Sequence, residues 1–240
     1  IRHFYLNSNL YNKKITPSFI GLIEYQPSPS LLDCLIKYDK KKINIENYSL
    51  NEIWDNPSLK GKDQQNLNSF FWLFSLDLKS SKKDTQNVIY QWINKNNRYN
   101  SKNWKIDIIG KRIIAWISNS RLTYEDGSID YKDKFNAIIK KQINHLINEI
   151  KTSELINDKI VGCAAIILTG LSYPQYNNYL YTGLSLLKKL AKFSLDNDGF
   201  PKSRNARQLS FYLKYFVLIR EWLKESQNEI PDFINENIYY

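Results

Sequence analysis

The stretch DYKDKFNAIIKKQINHLINEI, residues 130–150, decides the fold. Its apolar residues Phe135, Ile138, Ile139, Ile143, Leu146, Ile147 and Ile150 recur every three to four positions and share one face of a helix. Lysines, aspartates and asparagines fill the opposite face. The same reading predicts helices over 67–78, 84–94, 106–122, 154–172, 175–195 and 205–225, joined by short linkers marked by Asn, Asp, Ser or Pro. Linkers this short make successive helices antiparallel hairpins. Alternating strand patterns are nearly absent, so the expected class is all-α.

Upstream, Pro17, Pro27, Pro29 and Pro57 interrupt any long element. Residues 1–66 therefore read as an irregular segment with short helices at 17–25 and 30–38, packed on a helical domain over 67–240. The large aromatics recur one helix apart: Phe70, Phe71 and Trp72, then Trp92, then Trp116. That spacing suggests paired helices closing over an aromatic-rich interior. Periodicity alone leaves a bundle, a solenoid and a closed toroid open. No residue-level repeat marks a regular solenoid.

The 240 residues carry 34 basic and 24 acidic side chains, a formal charge of +10. Such a surplus favours polyanions, although a chain rich in Lys, Asn, Ile and Tyr also reflects AT-rich coding. The lysine runs at 37–42 and 79–83 read as solvated loops or helix ends, and scattered lysines speak against nucleic acid. No apolar run reaches the length of a bilayer span. Met is absent, so the natural start is expected to lie outside this sequence, and the lack of a signal peptide is uninformative. Cys34 and Cys163 form neither a disulfide framework nor a metal motif. With only His3 and His145 besides, no metal or cofactor is expected. His145, alone in a helix, reads as a hydrogen-bonded structural residue.

The order of several motifs resembles the α-helical half of heparinase II/III-like proteins, particularly their alphaproteobacterial branch. Trp54 comes first, then Phe70-x-Trp72-Leu73-x-x-Leu76, Trp92-Ile93, Trp104, and Gly110-Lys111-Arg112-Ile113-Ile114-Ala115-Trp116. Gln142-x-x-His145-Leu146 and Thr169-Gly170-Leu171 follow, and the series closes with Asp198-Gly199 and Ser203-Arg204-Asn205. The resemblance covers residues 54 to about 222. It implies an incomplete α/α toroid preceding a β-sandwich domain that these 240 residues do not include. It also implies β-elimination on uronic-acid polysaccharides, a periplasmic or envelope setting with the cytoplasm left open, and acidic polysaccharide as partner. That reaction needs a neutralised uronate carboxylate, a base for the C5 proton and an acid for the leaving oxygen.

Carried onto this chain, the family's Asn-His pair falls on Asn157-Asp158. The His after Asp198-Gly199 falls on Pro201, and the following Tyr falls near Gln208, with Tyr212 one turn further on. The catalytic candidates are thus Asn157 and Tyr212. The expected substrate contacts are Arg112, Trp116, Asp198, Lys202, Arg204 and Asn205. Arg204 and Lys202 suit a carboxylate or sulfate, and Trp116 suits a sugar ring. Asp198, Ser203 and Asn205 equally suit helix caps, and Arg112 with Trp116 equally suits a core pair. Three functions stand side by side: a lyase toroid, a non-catalytic polysaccharide-binding or glycan-assembly protein, and a basic nucleic-acid-binding protein.

Overall fold

The computed structural model describes residues 2–17, 21–28, 30–32, 54, 60–76, 81–196 and 198–239. Cys34, the lysine run at 37–42, residues 79–80 of the second run, residues 77–78 of the expected helix at 67–78 and parts of the expected helices at 17–25 and 30–38 lie outside them. The protein is all-α, with no strand among the described residues. The helices are α1 Arg2–Leu6, α2 Asn9–Ile15, α3 Gly61–Ser69, α4 Lys82–Asn96, α5 Ile106–Ser118, α6 Ser120–Thr123, α7 Ile129–Glu149, α8 Ile156–Ser172, α9 Asn177–Ser194, α10 Ala206–Glu225 and α11 Asp232–Tyr239. Short 3-10 turns cover Phe71–Ser75, Ile150–Thr152 and Pro174–Tyr176.

The organising element is α8. From Ile160 to Ser172 every residue is buried, as a helix apolar on all sides must be. It packs against α5, α7, α9 and α10. Glycines set the closest approaches. A Cβ on Gly170 would meet the backbone of Leu180 in α9, and one on Gly110 in α5 would sit 3.0 Å from the Val161 carbonyl oxygen. Further out, α3 covers α5, α4 packs on α6 and α7, α2 lies on α7, and α11 rests on α10. One continuous core runs from Leu6 to Ile234.

Helix 130–150 forms one residue earlier, as α7, with Ser128 Oγ accepting from Tyr131 N at its start. The expected helix over 106–122 breaks at Asn119, whose backbone N–H and Nδ2 both donate to the Ala115 carbonyl. The expected helix from 67 instead begins at Gly61 and ends at Ser69, so the boundary placed at 66/67 falls inside an element. Phe70 stops it in the left-handed region, at φ 55°. The Trp72 indole then donates to the Leu67 carbonyl at 3.1 Å, alongside the Phe70 N–H at the helix end. Residues 21–28 carry no helix, and 231–239, unassigned from the sequence, hold α11.

His145 is the structural residue its sequence position suggests. Its Nδ1 lies 2.7 Å from the Tyr11 hydroxyl, and its ring packs on Tyr99 and Trp104. Burial lowers its pKa to about 4. The folded state thus holds neutral imidazole while the unfolded chain titrates near 6.5. Below that value the unfolded state binds the extra proton, so stability should fall as pH drops from about 6.5 to about 4 and stay level on this account below. His145→Gln should flatten that part of the stability–pH curve by about 2–3 kcal/mol in urea titrations. An unchanged slope would show that another group controls acid sensitivity.

Candidate functional site at the start of the central helix

The expected substrate contacts divide into two groups. Arg112 and Trp116 are both fully buried, at 0% exposure. The Arg112 guanidinium lies 3.9 Å above the Trp92 ring, and Nε and Nη2 donate to the carbonyls of Asn68 and Asn103 at 3.0 and 2.6 Å. Burial holds its pKa well below the usual arginine value. Trp116 stacks on Phe135 and meets Phe70 and Trp92 edge-on. The expectation that these two face a sugar groove is therefore corrected: α5 is buried from Arg112 to Ser118 and presents no ring to solvent. The i, i+4 spacing that puts Arg112 and Trp116 on one face is the same whether that face looks inward or outward.

The second group is exposed. Between α9 and α10 the chain makes a tight excursion in which Leu195 bridges Pro201 and Asp196 N donates to Phe200 O. Asp196 organises it: one carboxylate oxygen accepts from Asp198 N and Phe200 N at 3.1 and 2.9 Å, and the other pairs with Arg204 Nη1 at 3.0 Å. Gly199, at φ 74°, supplies the turn conformation that other residues avoid. Arg204 is itself left-handed, at φ 55°, with its side chain 69% exposed. Lys202 reaches the Lys192 carbonyl at 3.3 Å. Asn205 caps α10, its Oδ1 accepting from Arg207 N and Gln208 N. The role of Asp196 escaped the sequence reading, although an Asp two residues before Asp198 and three before Gly199 is an Asx-turn signal.

This loop shares an end of the molecule with the start of α8. Because α8 and α9 run antiparallel, with Gly170 against Leu180 and Gly183 against Ile167, the last turn of α9 lies beside the first turn of α8. Asn157 and Asp158 occupy that turn, and the Asn157 Oδ1 is enclosed without a hydrogen-bond partner. The Asp158 carboxyl is raised above the usual range by burial first and by Asp107 second, with Lys111 opposing. Asp107 and Lys111, one turn apart in α5, pair at 3.2 Å. From α10, Tyr215 is buried near Asp107, and burial raises the pKa of its phenol. Tyr212 is buried too, with its hydroxyl toward Ser194. The starts of α5, α8 and α10 therefore gather at one end, together with Asn157, Tyr212 and the 196–205 loop.

Chemically, this end offers cations and hydrogen-bond donors but no histidine. His145 is enclosed by Tyr11, Tyr99 and Trp104, and His3 lies on α1. Pro201 is buried and Asp158 is half-buried. Among the described residues no helix is long and apolar enough to cross a membrane. Compared with protein-family models, with curated proteins and with solved structures, the chain shows no match.

Proposed function

We propose that this chain is the helical, glycan-binding part of a heparinase II/III-like protein, and that it holds an acidic polysaccharide without cleaving it. The observation that carries the reading is the exposed loop with Lys202 and Arg204, seated at the same end as Asn157, Lys111 and the starts of three helices. Aligned helix starts add positive partial charge there, and arginine suits carboxylate or sulfate bidentately. An incomplete toroid is part of this proposal, as is a further domain that would supply the groups β-elimination needs. The non-catalytic form is favoured by the buried phenol of Tyr212 and by a buried proline at position 201.

Titration calorimetry at low salt against heparan sulfate, alginate and chondroitin tests it. At least one should bind saturably, and Arg204→Ala should weaken that binding by about 1–3 kcal/mol. Its thermal midpoint should fall only slightly, since the Arg204 end of its pair with Asp196 is exposed and such a pair contributes about 1 kcal/mol. Ultraviolet absorbance of unsaturated uronate should not rise above a buffer blank. Absence of affinity for all three chains defeats the proposal, and a rise in absorbance defeats its non-catalytic form.

A further inference from the structure

At the opposite end of α8 lies a cleft of about 400 Å³, away from the loop. Its size falls in the range of small-molecule sites, roughly 300–1,000 Å³. Glu24, Tyr25, Tyr181 and Glu225 line it, together with Gly170 near the end of α8 and Asn177 at the start of α9. On a chain of charge +10, none of the described residues lining this cleft is Lys, Arg or His.

Both carboxylates are positioned by neutral donors. Gln175 Nε2 donates to Glu24 Oε1 at 2.7 Å, and the Tyr25 hydroxyl donates to Glu225 Oε2 at 2.8 Å. Neither carboxylate has an ion-pair partner among the described residues, and each keeps its second oxygen for a further donor. The backbone of Glu24 is tied as well, its N–H donating to the Ser172 carbonyl at the end of α8. The Tyr25 phenol is held protonated by burial and by Glu225, so it remains the donor. The ends of α8 and α10 add negative partial charge, which the start of α9 offsets in part.

Two exposed carboxylates oriented by neutral donors, with no counter-ion among the described residues, suit a cation. A metal ion fits poorly, because hard divalent cations take six or more oxygens and no cluster of three ligating side chains occurs among the described residues. The aromatic walls favour an organic cation instead. Tyr181 is 70% exposed at the rim, where an ammonium can rest on its ring. We propose that this cleft binds a small linear polyamine, with one of its ammonium groups on Glu24 and another on Glu225. The site is independent of the acidic-glycan reading and of its residues.

Spermidine titrated calorimetrically into the whole chain at low salt tests the assignment. One equivalent should bind saturably. Glu24→Gln and Glu225→Gln, which keep the acceptor for their neutral partners, should each weaken binding about ten- to a hundredfold. Tyr181→Ala, at an exposed position that does not threaten folding, should weaken it about two- to fivefold. Arg204→Ala should leave it unchanged, so failure here and failure of glycan binding remain distinguishable. The proposal is overturned by the absence of saturable heat, by equal affinity in all three cleft variants, or by equal competition from magnesium chloride at matched ionic strength. Saturation by an arginine-containing peptide but not by spermidine also overturns it.

Discussion

Arg112→Ala should destabilise the protein by about 3–5 kcal/mol, in the range of large-to-small core changes and broken buried polar networks. The guanidinium bonds the last turn of α3 through Asn68 and the connection before α5 through Asn103, while its plane rests on Trp92. Truncation leaves one buried and one part-buried carbonyl short of a donor and opens a void beside an indole. Asn68 is doubly committed, since its side-chain oxygen accepts from Trp92 Nε1 at 2.8 Å. The damage should therefore spread to α4. Arg112→Lys should recover little, because one ammonium lacks the planar fork that spans both carbonyls and stacks on the ring. Urea unfolding followed by tryptophan fluorescence measures both variants. A loss below about 1 kcal/mol for the alanine variant would show that the arginine is tolerated rather than used.

Gly170→Ala should cost about 3 kcal/mol or more, at the upper end for overpacked interiors. An added Cβ would lie 2.8 Å from the Leu180 Cα and closer still to its amide nitrogen. Backbone atoms cannot turn aside as a side chain does, so α8 and α9 would have to separate along their shared length. Gly183→Ala provides the comparison, since its nearest obstacle is the Ile167 Cγ1 at 2.6 Å. A rotamer change relieves part of that contact, so this variant should be the milder of the two. Thermal unfolding of both separates the cases. If Gly170→Ala melts with the parent protein, the helices are not held at this distance in solution.

These two variants probe contacts that the sequence marks in different degrees. A glycine in an apolar helix, as at 170, already suggests a close approach, but not which helix approaches it. An arginine in the run Ile108–Ile117 suggests either a buried clamp or an exposed ligand contact. Local periodicity separates these only when a helix has one apolar face. With eleven of its thirteen residues buried, α5 offers only the part-exposed Asp107 and Lys111 as a polar strip, too narrow to orient Arg112.

Where one face was apolar and the other polar, the sequence by itself determined the element. The stretch 130–150 became α7 within one residue, and Asn205 capped α10 as its position suggested, because helix periodicity and capping depend on neighbours within a turn or two. The all-α class followed from the same local rules. Tertiary structure alone decided what those rules leave degenerate. It placed Phe70 in a left-handed conformation that ends α3, because that ring packs against Trp54, Trp72, Trp92 and Trp116 and the packing outweighs a local backbone cost. It turned Arg112 and Trp116 inward, tied Arg204 to Asp196, and brought Asn157 to the end of the molecule that carries residues 196–205. It also joined Tyr25 to Glu225 across two hundred residues. Such pairings depend on which helices meet, and no residue's near neighbours along the chain carry that information.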